Sequence, residues 1–486
     1  MAYNHGVRIL ENPTSLTAPI LGTAAFQVVV GVSPVNLAED PYKATNVVKL
    51  AYSFPEASAA VGYSNNLKDY NLNQSISATF KKFAVAPIAL INVLDPKKHK
   101  DSIPKTTCQV GDLQATVSIE GILLDTLVVE AGETTLQADV DYITGFDDDG
   151  YAVITLLESG AGAEATTLSV SGDKIDPSKV TKNDIIGGYN VSTGKESGLE
   201  LVRQVYPLFG MTPGLLTSPG YSKDPSVASV MAAKCLKING LFTCECIADL
   251  DSTADGATKY TDVKTVKEKS GFVSEHMSVV WPKVRIGDEV YYFSAIYSAL
   301  IAYVDASNDD VPNLSASNKA IPITGLCLDD AADSEIVIDQ EQANLVNSFG
   351  VSTAINFNGF RSWGNNSAAY PMTTDPKDRW FCCRRFFSWW GNSFILSYFQ
   401  KVDDPADPRL IQSICDAENI RGNSYVAQGK CAGARITYSE DENPITDILN
   451  GKIQFHQYLA PYTPAEDILN VLEFDPTMLE AALGGE

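Results

Sequence analysis

Strand and helix signals alternate up to residue 94, give way to a block of purely β character, and then resume, so the chain must accommodate an all-β module inside an α/β domain. Residues 26–32 (FQVVVGV) form a continuous β-rich run suited to a buried strand, residues 72–83 have helix-like spacing, and residues 87–94 (PIALINVL) read as a second buried strand. Strand, helix and strand in that order predict a parallel sheet covered on both faces. From residue 106 to 170 come short alternating runs such as TVSIEGILL and DYITGFDDDGYAVITLL, separated by Gly and Asp turns, which predict an all-β insertion. The α/β pattern returns with an amphipathic stretch at 198–206 and β-like runs at 214–217, 241–247 and 277–281.

The two ends of the chain have a different texture. Residues 6–11 (GVRILE) alternate as a strand does, and ENPTSLTAP then supplies a polar linker, which gives a detached strand on a tether. Residues 407–420 read as a helix, with Pro408 in the first turn and Leu410, Ile411, Ile414 and Ala417 recurring at three and four. Two strand-like runs close the sequence, 452–459 and 468–474, split by APYTPAED, whose prolines argue for a terminal arm instead of a hairpin.

Charge narrows the choice of partners. The 486 residues carry 36 Lys and Arg against 60 Asp and Glu, a formal charge of −24 that disfavours nucleic acid and anionic membrane surfaces. The acidity is concentrated at 101–184, with 16 acidic and 4 basic residues, and at 437–486, with 10 acidic and 1 basic. The window 377–435 leans the other way, with nine basic and six acidic residues. A protomer polarised in this way suits ordered self-assembly, solvated acidic loops being the plainer explanation. The nine cysteines are an odd number in a long chain, so reduced thiols are expected. The start, MAYNHGVRIL, lacks the pattern of a signal peptide, and the longest apolar stretches, 84–94 and 291–304, fall short of the ~20 residues of a membrane span and read as core elements.

No catalytic, cofactor or metal residues emerge. GGYNVSTGKES at 187–197 invites a phosphate-loop reading, but five residues separate Gly188 from Gly194 and Glu196 stands where a hydroxyl is needed. Asp139, Asp141, Asp147, Asp148 and Asp149 miss the alternating register of a calcium loop and fit an acidic hairpin tip. Cys244 and Cys246 have no second pair at zinc spacing, Cys382 and Cys383 lie in a dense apolar segment, and packed thiols explain all four. His5, His99, His276 and His456 are scattered. The balance is against an enzyme.

Four blocks carry a resemblance. HGVRILENPTSLTAPILGTAAFQVVVG at 5–31 resembles the N-terminus of contractile phage tail sheath proteins, and GLELVRQVYPLFGMTPGLLTSPGYS at 198–222 resembles their segment ending in a Pro-Gly turn. GFRSWGNNSA at 359–368 with DPKDRWFCCRRFF at 375–387 is similar to the family's Gly-Arg-Trp-Gly and double-Arg region, and NGKIQFHQYLAPYTPAEDILNVLEF at 450–474 to its C-terminus. The blocks occur in the family's order and the resemblance spans 1–95 and about 185–480.

The resemblance implies an α/β and α+β multidomain fold: an N-terminal strand arm and linker at 1–20, sheath core at 21–100 and 185–375, a β-sandwich insertion at 101–184, a C-terminal α+β sheath domain at 376–460 and a strand arm at 461–486. The insertion looks like the module that larger sheaths carry on their outer face, and its DYITGFDDDGYAVITL phrase also resembles Ig-like repeats of surface adhesins. The implied function is a structural subunit that polymerises as stacked hexameric rings around the tail tube and contracts to drive the tube through the host envelope. The particle would be a phage, a tailocin or another contractile injection system. Implied partners are copies of itself, the tail tube protein, and baseplate and tail terminator proteins, with no cofactor, no nucleic acid and no membrane insertion. Its place would be the virion tail sheath, assembled in the bacterial host cytoplasm. Inter-subunit pairing is expected of Val7, Arg8, Ile9 and Leu10, of Ile453 and Phe455, and of Ile468, Leu469, Val471 and Leu472, because strands without a local partner favour a polymer. Arg409 and Arg421, flanking the expected helix, are the candidate contacts to an acidic tube, unless they are solvated or pair with Asp416 and Glu418. An adhesin-like secreted protein and a nucleotide-binding enzyme are the rival classes.

Overall fold

Six parallel strands form the middle of an eight-stranded sheet in the computed structural model, which describes residues 20–484. The order across the sheet is Phe360–Trp363, Val351–Asn356, Met277–Val280, Glu245–Asp249, Leu215–Thr217, Gln27–Gly31, Ile88–Asn92 and Val48–Ala51, and only the two outermost strands run antiparallel to their neighbours. The expected strand 6–11, with Val7, Arg8, Ile9 and Leu10, lies outside the described residues.

Alternation along each strand feeds two cores. Val28, Val30, Ala89 and Ile91 join the core on one face, while Val29, Ile88 and Leu90 enter the other. Helix Phe293–Ala306 packs against that second side with Leu215, Ile247 and Val280. Twelve of its fourteen residues are buried, as a helix apolar nearly all round must be. No helix among the described residues is long and apolar enough to cross a membrane. The carboxylate of Asp249, at the end of its strand, pins this helix to the Pro-Gly turn: it accepts from Gly220 N at 3.1 Å, Ser222 Oγ at 3.0 Å, Ser294 N at 3.0 Å and Ser294 Oγ at 2.7 Å. Burial pushes its carboxyl above the usual range, and these donors hold against that shift.

Residues 100–175 build two antiparallel sheets around a core of their own. Lys100–Gln109, Thr167–Ile175, Val128–Ala131 and Thr134–Thr135 form one, and Tyr142–Phe146, Ala152–Leu156 and Gln114–Val117 the other. Ile103, Val129, Leu168 and Val170 meet Val117, Tyr142, Ile154 and Leu156 between them. Entry and exit are neighbours, since Lys100 is paired with Ile175. His99 closes this neck: its carbonyl accepts from Asp176 N at 2.9 Å, and its Nδ1 accepts from Asp95 N at 3.0 Å. That bond fixes the neutral tautomer with the proton on Nε2, which faces Asp184 at 3.6 Å. Burial holds the imidazole pKa below its ordinary value, Asp184 opposing. The folded chain therefore binds this proton less readily than the unfolded chain, and the neutral ring stabilises the neck fully above about pH 6.5, losing that contribution as the pH falls. Thermal unfolding of His99→Gln is expected to depend less steeply on pH below 6.5 than that of the parent.

The C-terminal part contains helices Phe381–Tyr398 and Pro408–Ala427 and the antiparallel pair Cys431–Thr437 and His456–Pro461. The expected helix 407–420 exists, with Asp407 as its N-cap accepting from Leu410 N at 2.8 Å, and runs on to Ala427. Gly422 lets the strand lie against it, because a Cβ there would stand 2.3 Å from the Ala434 carbonyl. One expectation differs from the structure here. The strand placed at 452–459 begins at His456, because Asn443 captures the backbone ahead of it, accepting from Gln454 N at 2.7 Å and donating to its carbonyl at 2.9 Å, so Ile453 and Phe455 precede the ladder. The segment 468–474 is not a strand within this chain. It has no ladder to join among the described residues, and helix Pro476–Leu483 follows it.

Candidate functional site

The enzyme-like motifs resolve into structural features. GGYNVSTGKES is a hairpin, Gly188–Asn190 paired with Lys195–Ser197, so Lys195 lies on a strand instead of in a phosphate loop, and Glu196 is held by Arg203 at 3.1 Å. Asp147 closes a hairpin turn by accepting from Asp149 N and Tyr151 N, and Asp141 accepts from Gln137 N and Ala161 N. Cys244 donates to Cys235 across 3.4 Å in the core, and Cys382 and Cys383 are buried on a helix. No group of three or more His, Cys, Asp or Glu suited to a metal occurs among the described residues.

The C-terminal surface is a better candidate. Its foundation is helix Phe381–Tyr398, whose double-Arg turn splits its two cations between interior and edge. Arg385 enters the core and pairs with Asp305 of the central helix, Nη1 to Oδ1 at 3.3 Å. Ser388 donates to the buried Glu245 at 2.5 Å, and Asn392 brackets Thr243, accepting from its N at 3.0 Å and donating to its carbonyl at 2.7 Å. Burial raises the Asp305 carboxyl while Arg385 opposes it. Arg384 stays near the edge and reaches Asp378 at 3.1 Å.

On this base the antiparallel pair Cys431–Thr437 and His456–Pro461 forms a two-stranded sheet with an unpaired edge on each strand among the described residues. The chain then crosses the start of the helix. Tyr462 O lies 3.9 Å from Cys383 Sγ, and Glu466 is held by Arg379 at 2.8 Å. Beyond Glu466 the apolar residues are open to solvent: Ile468 is 85% exposed, Leu469 82%, Val471 70% and Leu472 86%. These four of the residues expected in inter-subunit strands thus share one segment without a strand partner among the described residues.

The two candidate tube contacts part company. Arg409 is exposed at the start of its helix and makes no ion pair among the described residues. Arg421 is not a free surface cation: its guanidinium lies 4.1 Å from the Trp390 ring centroid and pairs with the buried Glu418 at 3.2 Å. The i, i+3 spacing of Glu418 and Arg421 is the sequence signal for that pairing. Arg379, which the sequence reading does not single out, has no such local signal, because Glu466 is 87 residues away.

No family model matches the chain. It is similar, at 24% identity over 499 residues covering 99% of both chains, to the tail sheath protein of Burkholderia phage BcepMu. The likeness runs from end to end of a tail sheath protein. The major tail sheath protein of Serratia phage KSP20 is 26% identical over 345 residues, 69% of this chain and 83% of the relative. The fold matches a chain in the cryo-EM structure of the anti-feeding prophage baseplate with a TM-score of 0.58, at 14% identity and covering 98% and 100% of the two chains. It also matches the PVC sheath complex in its contracted state, with a TM-score of 0.58, 13% identity and 98% and 99% coverage. Both of these curated relatives are named as tail sheath proteins of phages.

Proposed function

We propose that this chain is a contractile tail sheath subunit that polymerises as stacked hexameric rings around a tail tube protein and contracts to drive the tube through a host envelope, with baseplate and terminator proteins at its ends. The observation that carries the reading is the match to a tail sheath protein over essentially the whole of both chains. Support comes from the unpaired strand edges beside an exposed apolar arm, an arrangement that favours a neighbour's backbone over solvent. Strand arms shared between copies would keep the lattice joined while the subunit bodies rotate during contraction. Assembly would take place in the bacterial host cytoplasm. Negative-stain microscopy of the purified protein tests this: rings or tubes of one species are expected, and a persistent monomer under all assembly conditions would reject it.

Within that reading, the domain bounds 1–20, 21–100, 101–184, 185–375, 376–460 and 461–486 follow the changes of texture along the chain, and Arg409 remains the tube-facing candidate. The insertion serves as an outward β-sandwich, supported by its own core and by a net-acidic surface unsuited to packing against copies of itself. Ile103 and Gly172 are register partners at the neck, so a short Gly/Ser linker can replace 104–171. The remainder is expected to fold and form tubes, as checked by thermal unfolding and microscopy. An insoluble or monomer-locked product would count against a separable insertion.

A further inference from the structure

We infer that Arg379 is a positioning residue for assembly: the fixed pivot from which the C-terminal arm leaves one subunit in a set direction. The inference rests on the shared-arm reading above and adds to it the point of departure. Arg379 is itself held from three sides. Its guanidinium lies 4.0 Å from the Trp380 ring centroid and 4.6 Å from that of Tyr370, and its Nε donates to Asn366 Oδ1 at 3.0 Å. The remaining face of the fork donates from Nη2 to Glu466 Oε2 at 2.8 Å. A planar cation fixed by stacking and a neighbouring amide offers its free N–H groups in one direction only, unlike a mobile lysine.

The segment it holds is stiff. Pro461 and Pro464 fix φ on the approach, Pro464 is half-buried, and Glu466 is the last arm residue with an ion-pair partner among the described residues. From there to the helix at Pro476 the backbone can span about 30 Å when extended, enough to cross to an adjoining molecule. Without the clamp the arm would be free from Tyr462 onward, lengthening the tether by about 13 Å and removing its direction. Regular helical assembly needs every arm to leave at the same place, so the clamp acts on the order of the polymer and not on the fold of the subunit.

The test uses the full chain. Glu466→Lys places two cations together at an exposed position and is expected to leave the thermal unfolding of the monomer unchanged. Proteolytic cleavage at 462–466 should rise to the rate seen at 467–475, and tubes should lose their single helical repeat or fail to form. Glu466→Gln, whose amide oxygen still accepts from the fixed Nη2 N–H, is expected to keep the repeat, and Arg379→Lys, which keeps the charge and loses the stacked plane, is expected to loosen it. Tubes of parental repeat from both Glu466→Lys and Arg379→Lys would overturn the pivot. A chain ending at residue 466 separates the two readings: if it still forms regular tubes, the shared arm itself is wrong, whatever Arg379 does.

Discussion

Replacing Arg385 by methionine is expected to destabilise the folded subunit by about 3–5 kcal/mol, because removing one member of a buried ion pair leaves the other charge unpaired. The side chains of Arg385 and Asp305 are 4% and 1% exposed, so neither can exchange its partner for water. Glu245, at 2% exposed, adds a second carboxylate to the same interior. In the variant, Asp305 can fold only by taking up a proton. Its folded pKa, already raised by burial, rises further, so the folded state binds more protons than the unfolded one and stability falls as pH climbs above the ordinary carboxylate range. Urea unfolding at several pH values measures both effects. Arg385→Met combined with Asp305→Leu should recover most of the loss, since an apolar pair removes the stranded charge. A single-variant loss below about 1 kcal/mol would mean that solvent reaches the site, as at a surface pair.

The same pair marks a boundary of what sequence can convey. Residues 385 and 305 are 80 apart, and only the chain path brings helix Phe381–Tyr398 onto the end of the central helix. The parallel strands were legible because buried strands read as unbroken apolar runs, and PIALINVL supplies residues to both faces of the sheet. The all-β texture of 106–170 was legible for the opposite reason, as period-two alternation between Gly and Asp turns. Alternation reports which faces a segment could present and says nothing of whether a neighbouring strand exists. ILNVLEF therefore reads as a strand although it pairs with nothing among the described residues. At 452–455 a side chain, Asn443, outcompeted a strand partner for the backbone, a choice no periodicity records. Arg421 shows the reverse case, since Glu418 three residues earlier was visible in the sequence and the aromatic floor of Trp390 was not.

Val471→Pro is expected to leave a folded, soluble monomer and to raise the protein concentration needed for tube formation by about ten- to a hundredfold. Val471 is 70% exposed and lies outside every strand of the isolated chain, so proline there removes no described backbone bond and should shift monomer stability by no more than about 0.5 kcal/mol. In a ladder shared with a neighbour, the same change deletes a donor and strands an acceptor, at about 1–3 kcal/mol per contact. Each 1.4 kcal/mol is about tenfold in affinity, and the loss recurs at every subunit contact of the polymer. Val471→Thr is the control, because it keeps the N–H and the β-branched shape while removing apolar area. If the arm acts through its backbone, threonine should assemble near parental concentration while proline does not. Equal weakening by both would assign the contact to side-chain burial, and unimpaired tubes from the proline variant would show that residue 471 enters no ladder.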